Sequence, residues 1–416
     1  MWANTSYSPH VDFKSSFLDS SYAIPAPGSE DVILDYSASF IGASLENASL
    51  EIADFFHLSG DFSFEKSQNI KGDINTGLTG ALASNLDAST NTFLDNLKVA
   101  GYLSSDYSRI EDLPLQVTSF VGTDVEVKVG SMDDPVFHYE NIDFGLSVFS
   151  GSKTVDPDAL LPTMFALKAN IPNPVDIDWD FLKIEVDELK LYGNSGSLWK
   201  GLKINPHLDF ASSFDNGYEL KTGGESIKLD FDRDIIGVEI ANAVVNLSDF
   251  IFLSGSFVFE KTGEISIDLN TGYNSASFDK APAQIQEKLK KFDGVDDSAL
   301  LSSDRTSISG LSFNSYMLGG SNINAFVGIG PYFQDSNNDG IIDELDNPDS
   351  DALGFTLQGL NFGLATFQST LTSDPDRVIP QLTALEAGAT GITVVGIDGL
   401  TLAANGITLG LKDRKS

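Results

Sequence analysis

An acidic loop at residues 335–346, with the sequence DSNNDGIIDELD, holds the side chains of this chain that are best spaced for chemistry. Calcium takes roughly six to eight oxygen ligands, and short carboxylate and amide side chains at alternating positions can surround the ion. Gly340 permits the sharp turn that brings the later ligands back. The spacing therefore predicts a Ca²⁺ site whose ligands are Asp335, Asn337, Asp339, the Ile341 carbonyl, Asp343 and Asp346.

The residues around this loop do not indicate a complete EF-hand. The preceding segment, FVGIGPYF, contains Pro331 and is typical of a strand end, so two complete flanking helices are not expected. Asp349 and Asp351 follow closely, and they either bind a second ion or raise the local negative potential. The alternative interpretation is an acidic, turn-rich loop that binds nothing specifically.

The four histidines favour structural roles over catalysis. His10 and His207 occupy equivalent places in two PHxDF motifs, each two residues before an aspartate. A His–Asp pair can act as a base or a metal ligand, but recurrence at two predicted strand starts favours a hydrogen-bonded scaffold element. Phe252 replaces His57 in a homologous segment, which indicates a packing position, and His138 stands alone.

Paired carboxylates are the remaining catalytic candidates. Glu65 and Glu260 each precede a lysine at the end of equivalent predicted strands, and Asp73 and Asp268 follow. Two carboxylates can hydrolyse a glycosidic bond, so a glycoside hydrolase is one hypothesis. Duplication and the adjacent lysines favour edge ion pairs and turn caps instead. Because the sequence also lacks an HExxH motif, a nucleophile elbow and a phosphate-binding glycine loop, we predict that the chain is not an enzyme.

The chain contains nearly the same sequence twice. Residues 42–78 align without a gap on 237–273 with 17 identities in 37 positions, and PHVDFKSSF at 9–17 matches PHLDFASSF at 206–214. Later segments match at a larger offset, so the second copy carries an insert, at about 329–354, that includes the calcium loop. The duplication predicts two tandem β units, 1–205 and 206–416, called the first and second repeat below.

Composition narrows the possible partners. The formal charge of −35 makes nucleic acid and anionic membrane surfaces poor partners and cations better ones. The absence of cysteine excludes disulfides and thiolate metal sites. The longest apolar stretches are far too short for a membrane-spanning helix, and the N-terminus does not resemble a signal peptide. We therefore expect an excised piece of a longer protein whose targeting signals lie elsewhere.

Alternating apolar and polar residues predict an all-β fold of mainly antiparallel strands, either sandwich-like or an elongated stacked sheet. In segments such as GSFVFEK at 255–261 the alternate Phe residues are predicted to face inward. A theme of glycine, apolar run, Ala or Asn and second apolar run, at 41–52 and 236–247, predicts pairs of short strands. Helical spacing predicts one short helix per repeat, at 85–100 and 280–292, as a lid over an open sheet edge or a barrel end.

Several motifs together carry a family resemblance: LSGxFxFEK, NFGLxxF, MFALKA at 164–169, LTALEA at 382–387 and VGIDGLTLAANGITLGL at 395–411. The chain resembles the repeat modules of very large secreted or cell-surface, adhesin-like bacterial proteins. Its calcium loop is similar to those of dockerins and EF-hands. The resemblance implies an extracellular, calcium-rich setting and a spacer, scaffold or adhesive role.

Three functional hypotheses follow. The first is a non-enzymatic, calcium-binding structural or adhesive module of a larger bacterial extracellular or cell-surface protein, in contact with neighbouring repeat units. The second is a binding module for glycan or lipid, and a groove lined by alternate Phe would favour lipid. The third, a glycoside hydrolase-like enzyme, requires a carboxylate pair that converges in a cleft.

Calcium binding to the loop predicts a calcium-dependent melting temperature, because an ion that binds only the folded state stabilises it. Millimolar calcium should raise the melting temperature relative to a chelator, and Asp335→Ala/Asp339→Ala should abolish the increase. Asp133→Ala/Asp134→Ala, an acidic pair without ligand spacing, is the matched control and should retain it. Identical melts of the unmodified chain with and without calcium would contradict the site.

Overall fold

The computed structural model describes residues 11–17, 19–25, 31–36, 40–52, 56–131, 134–179, 182–202, 204–221, 226–247, 250–283, 286–287, 300–330, 351–369, 381–396 and 403–415. The strands are β1 (Tyr22–Ile24), β2 (Val32–Leu34), β3 (Phe40–Ile52), β4 (Phe56–Asn75), β5 (Arg109–Ser131), β6 (Asp134–Gly151), β7 (Met164–Trp179), β8 (Leu182–Gly196), β9 (His207–Asp209), β10 (Tyr218–Lys221), β11 (Ser226–Leu229), β12 (Ile235–Leu247), β13 (Ile251–Asn270), β14 (Leu300–Leu301), β15 (Ser307–Ile329), β16 (Leu353–Ser369), β17 (Gln381–Val395) and β18 (Ala403–Lys415). The helices are α1 (Phe13–Ser16), α2 (Gly80–Ala83), α3 (Ala88–Val99), α4 (Phe210–Ser213) and α5 (Ser275–Phe278).

Twelve long strands form one continuous sheet. Each pairs antiparallel with the next in the order β3-β4-β5-β6-β7-β8-β12-β13-β15-β16-β17-β18, while β9 joins β4 and β14 joins β15. The hairpins β1–β2 and β10–β11 form separate two-stranded sheets. The predicted all-β, mainly antiparallel fold is confirmed, and its architecture is one long sheet rather than two sheets of similar size.

Both repeats contribute strands of similar length in the same order. β3 and β12 have 13 residues each, β4 and β13 have 20, and β5 and β15 have 23. The two series join where β8 pairs with β12. The predicted boundary after residue 205 lies between β8 and β9, and it remains a prediction because the sheet runs through it without a break.

The hydrophobic core lies on one side of the sheet, called the core face. Ile74, Leu115 and Phe149 point from this face into a cluster that also contains Leu94 of α3 and Trp199, all fully or almost fully buried. The Trp199 indole N–H donates to the Thr76 carbonyl at 2.8 Å, which fixes the loop after β8 over the end of β4. A smaller cluster around Phe313 occupies the equivalent place in the second repeat.

A segment of the second repeat completes the core of the first. β9, α4, β10 and β11 pack on the core face of β4 to β7, where Leu208, Phe210 and Leu229 are fully buried. The Phe149 ring meets Phe210 edge-on at a centroid distance of 5.7 Å and Tyr218 at 6.0 Å. This segment, residues 207–231, is called the cover segment. The first core therefore depends on residues that follow the predicted boundary.

Bulges cross the sheet in a line and preserve its register. At each bulge a residue with positive φ adds one residue to a strand, and Asn tolerates this backbone conformation better than most residues. The bulge N–H groups donate to polar side chains of neighbouring strands: Asn47 to Asp61 Oδ1 (2.7 Å), Asn242 to Ser256 Oγ (3.1 Å) and Asn322 to Asn361 Oδ1 (3.1 Å). These bonds satisfy donors that the ladder leaves unpaired.

Two details of the predicted elements need correction. Segments 41–52 and 236–247 were predicted as pairs of short strands, but each is one strand, because a bulge at Asn47 or Asn242 lets the chain continue. The helix predicted at 85–100 is confirmed as α3, capped by Asp87, though it covers the buried core face rather than a sheet edge. At 280–292, Ala283, Gln286 and Glu287 are helical, and the apolar residues Ile285, Leu289 and Phe292 lie outside the described residues.

Because the cover segment packs on the core of the first repeat only, the equivalent Phe→Ala substitution should reduce the free energy of unfolding by different amounts in the two repeats. Phe149→Ala removes a fully buried ring that the cover segment contacts, so it should destabilise the protein by about 3–5 kcal/mol. Phe367→Ala, at the equivalent but only half-buried position of β16, should cost clearly less. The midpoint of urea unfolding measures both effects. Equal shifts would show that the two cores are equally covered.

Candidate functional site

An unbroken apolar row crosses the face of the sheet opposite the core. Cross-strand partners in direct register continue from one strand to the next over all twelve strands, and every one is apolar or glycine. The row is Leu45, Phe62, Gly122, Phe144, Ala169, Leu191, Val238, Phe259, Leu318, Leu364, Leu385 and Leu411.

Two partial rows of the same face widen this central row. One partial row lies on one side of the central row and spans β3 to β12: Ala43, Phe64, Phe120, Leu146, Leu167, Gly193 and Ile236. The other lies on the opposite side of the central row and spans β8 to β18: Leu189, Ile240, Phe257, Gly320, Phe362, Ala387 and Leu409. The three rows together are called the apolar band. With strands about 4.8 Å apart and rows about 7 Å apart, the band is roughly 53 Å long, about 7 Å wide over most of its length and about 14 Å wide at β8 and β12, where both partial rows are present.

The band is exposed to solvent. Phe64, Phe120, Phe259 and Leu409 expose between 43% and 57% of their surface. The elements that cover the sheet in the described part of the chain, including α3 and the cover segment, pack on the core face instead. Large exposed apolar patches on proteins are typical of surfaces that contact other proteins, membranes or ligands.

Aromatic rings form the densest part of the band in the first repeat. Phe120 stacks on Phe62 at 6.4 Å and meets Phe144 at 5.4 Å between ring centroids. Gly122 makes room for this cluster, since a Cβ there would overlap the Phe144 ring. The three rings thus form a continuous aromatic cluster on this face of the sheet.

Charged groups lie on the core face beyond the covered core. Lys168 pairs with Asp230 at 2.6 Å, and Lys190 pairs with Glu188 at the same distance. The Tyr192 hydroxyl donates to Glu260 at 2.8 Å. The solvent-exposed part of the core face is therefore polar, and the exposed band is apolar. In most sheets with one solvated face, the solvated face is the polar one.

The predicted inward orientation of the Phe residues in 255–261 is wrong. Phe257 and Phe259 lie in the band, while Val258 and Glu260 occupy the core face of β13. The core of this sheet uses other stretches of its strands, such as Leu113, Leu115 and Val117 of β5. The alternation identifies a strand, but a period of two gives no information about which face of the sheet is covered.

The predicted calcium ligands Asp335, Asn337, Asp339, Ile341, Asp343 and Asp346 lie outside the described residues. Their place in the topology is the connection between the end of β15 at Ile329 and the start of β16 at Leu353. In the first repeat, β5 and β6 are joined through residues 132–133 alone. The Ca²⁺ site remains a prediction from the sequence.

A cluster of ionisable groups at β4, β5 and β6 was not foreseen. His138 Nε2 lies 2.9 Å from Glu126 Oε1 and 3.0 Å from Glu140 Oε1, and His57 Nε2 lies 3.5 Å from the other Glu126 oxygen. His138 was predicted to be isolated, which is wrong, whereas His57, predicted to be a packing residue, has a largely buried side chain that also contacts Glu126. Their separation in the sequence hid a contact that only the strand register creates.

Glu126, His138 and Glu140 could hold a metal ion, since their ligand atoms lie within 4.8 Å of one another. The Lys128 ammonium, however, already contacts Glu126 Oε1. Hydrogen bonds from Lys128, His138 and Ser59 outweigh burial and lower the pKa of Glu126 to about 2. The arrangement is that of a cross-strand ion-pair cluster around an ionised glutamate.

The PHxDF motif has a structural role in the second repeat. His207 lies 3.2 Å from the Asn75 side chain, and burial lowers its pKa. Asp209 caps α4 and binds Arg109 at 3.1 Å, and the same guanidinium binds Asp73 at 3.1 Å. Arg109 thereby fastens the cover segment to the first repeat. His10 lies outside the described residues.

The candidate carboxylates do not form a catalytic pair. Glu65 and Glu260 lie on β4 and β13, two interior strands with five strands between them in the sheet. Glu65 accepts from Ser67, whereas Glu260 accepts from Tyr192. Their interpretation as edge ion pairs with the adjacent lysines is also wrong, because successive residues of a strand point to opposite faces.

Comparison with known proteins gives no matching family model and no curated relative for this chain. No helix in the described ranges is long and apolar enough to cross a membrane.

The lowered pKa of Glu126 predicts a pH-dependent contribution to stability. A carboxylate whose pKa falls from 4.5 to about 2 on folding stabilises the protein fully above pH 4.5, and this contribution is lost as pH falls towards 2. Glu126→Gln should therefore lower the melting temperature at pH 7, and the difference from the unmodified chain should vanish near pH 2. Glu46→Gln, an exposed position, should show no such dependence. A difference that is constant with pH would contradict the ionised cluster.

Proposed function

We propose that this chain is a non-enzymatic β module that binds the hydrocarbon chains of lipids on its apolar band. The observation that carries the proposal is the central row, which runs from Leu45 of β3 to Leu385 of β17 without one polar side chain and continues in register to β18. Each methylene removed from water contributes about 0.8 kcal/mol, so a long acyl chain laid along the row gains substantially.

Shape and chemistry favour lipid over glycan. A sugar needs polar side chains that converge on its hydroxyls, whereas the interior of the band offers only methyl groups, rings and glycine backbone. A length of roughly 53 Å accommodates extended acyl chains across the strands. The band also narrows at one border, where Lys261, Tyr316 and Thr366 continue the row that Ile236 ends, and these groups suit the headgroup end of a lipid.

Net charge selects among lipids. At −35 the chain repels anionic headgroups over about a Debye length, roughly 8 Å at physiological salt. Zwitterionic and neutral lipids meet no such repulsion. The proposed ligands are therefore lipids such as phosphatidylcholines rather than anionic phospholipids.

A calcium-stiffened scaffold in a larger extracellular or cell-surface protein is a second proposal, and it is compatible with the first. The continuous sheet supports it, because pairing of β8 with β12 joins the strands of the two repeats directly. Calcium at the insert between β15 and β16 would then stiffen one end of that unit.

Titration with lysophosphatidylcholine below its critical micelle concentration, followed by calorimetry, tests lipid binding by single molecules. Phe120→Asp/Phe259→Asp introduces two charges into the band and should weaken binding at least about tenfold, since each carboxylate would lose water on contact with the acyl chain. The matched control, Val99→Asp/Leu198→Asp, changes two exposed apolar residues outside the band and should bind normally.

Equal loss of binding in the band variant and the control would refute a specific role of the band, as would a lack of heat with the unmodified chain. Binding of lysophosphatidylglycerol as strongly as lysophosphatidylcholine would refute the charge argument alone. Melting temperatures of both double variants show whether either is unfolded.

A further inference from the structure

The described N-terminal residues have the same local structure as the cover segment, but they do not pack on a core as it does. Asp12 caps α1 by accepting from Ser15 N at 3.0 Å, as Asp209 accepts from Ser212 N at 3.1 Å. Phe13 N donates to the Tyr36 carbonyl at 2.8 Å, and Phe210 N donates to the Phe231 carbonyl at 2.9 Å. β1 pairs with β2 from Tyr22↔Leu34, as β10 pairs with β11 from Tyr218↔Leu229. Residues 11–36, where described, are therefore a second cover segment, called the N-terminal cover.

The packing side of this N-terminal cover faces solvent. Val11 is 53% exposed, whereas its equivalent Leu208 is fully buried. Ile24 is 42% exposed, whereas its equivalent Leu220 is 3% exposed. The aromatic contacts are nevertheless formed, with Phe17 at 5.0 Å from Tyr22, as Phe214 is from Tyr218. The N-terminal cover thus has the internal contacts of the cover segment, but its apolar side does not pack on a core face as the cover segment does.

The second repeat carries the complementary surface without a cover. Gly145 and Phe149 of β6 are buried, and a Cβ at Gly145 would overlap Leu220 of the cover segment. The equivalent Gly363 of β16 is exposed, with no atom within 4 Å of its Cβ position. A cavity of about 870 Å³ opens there on the core face, and its lining includes Met317, Gly363, Ala365 and Ala384.

The edges of the sheet match in the same way. β8 of the first repeat pairs with β12, which joins the repeats, and their equivalents are the two edge strands β18 and β3. In the described part of the chain, β3 pairs with β4 and β18 with β17, each on one side only. Leu45 and Leu409, at these edges, are 59% and 57% exposed. Open edges with apolar side chains are templates for further pairing.

We propose that molecules of this protein associate head to tail: the N-terminal cover of one molecule fills the uncovered cavity of another, and β3 of the first pairs with β18 of the second. The partner is a second copy of this chain. The internal junction gives the register, because the pairs Leu191↔Val238 and Leu189↔Ile240 become Leu409↔Ala43 and Ile407↔Leu45. The contact is heterologous, so it leaves a free cover and a free cavity at opposite ends and permits chain growth.

One difference makes this contact weaker than the internal one. Arg109, opposite Asn75, bridges Asp73 to Asp209, but Ser307 occupies the equivalent place opposite Asn270. Asp12 of the incoming cover would then approach Asp268 without a guanidinium between them. With a net charge of −35 per molecule, association should strengthen as salt screens the repulsion.

Sedimentation velocity against protein concentration, in high salt and without lipid, tests the association. The unmodified chain should show species larger than a monomer at high concentration. Gly363→Leu should abolish them by filling the cavity, while Gly80→Leu, at another glycine with open space around its Cβ position, should not. Ser307→Arg should restore the bridge and strengthen association by at least about tenfold, the effect of one charge-assisted contact.

Thiol cross-linking tests the register, because the chain has no cysteine of its own. An equimolar mixture of Ala43→Cys and Leu409→Cys variants should form a cross-linked dimer with a short bismaleimide, and a mixture of Val99→Cys and Leu198→Cys should not. Cross-linking of the double variant Ala43→Cys/Leu409→Cys within one monomer at low concentration would overturn association between molecules. A monomeric Ser307→Arg variant at high concentration and salt would overturn the proposal as well.

Discussion

Cross-strand register determines which side chains this sheet presents on each of its two faces. A side chain's face is set by its position along the strand, so a shift of one residue in any strand would move its apolar side chains from the band to the core face. Twelve strands nevertheless keep their partners aligned from Leu45 to Leu411. The bulges at residues such as Asn47, Asn242 and Asn322 lie at matching positions along their strands. Each extra residue therefore lies beside the extra residue of the neighbouring strand, and the register is kept. The band is a consequence of that alignment.

Polarity is distributed along the strands as well as across the sheet. In β5 the apolar phase changes between Val117, which is buried in the core, and Phe120, which is exposed in the band. In β4 to β7, residues near one end of the strand contribute to the core, and residues further along contribute to the band on the opposite face. Uncovered stretches of the core face carry ion pairs such as Lys190–Glu188, which are of little value for stability at a solvated surface. The apolar surface outside the core is therefore concentrated on one face, where a bound ligand would remove it from water.

The sequence was sufficient for the fold class and for helix α3 but not for the faces of the sheet. Alternation in GSFVFEK identifies a strand, yet Phe257 and Phe259 lie on the exposed side, because the cover of a face comes from segments distant in the sequence. The phase change in LPLQVTSF, from Leu115 and Val117 to Phe120, was the available signal that one strand serves two surfaces. The cluster of His57, Glu126 and His138 had no local signal, since the contacts arise from pairing of β4, β5 and β6.

A repeat whose core is completed by the following repeat has a direct physical consequence. In the described residues one cover has no core beneath it, as Tyr22 and Ile24 show, and one core has no cover, as Gly363 shows. Terminal repeats of other repeat proteins carry polar outer surfaces that prevent further stacking. In the described sheet the exposed residues of the two outer strands include the apolar Ile41 and Leu409. Water would favour burial of such ends, and the surface best shaped to bury each is the opposite end of an identical molecule.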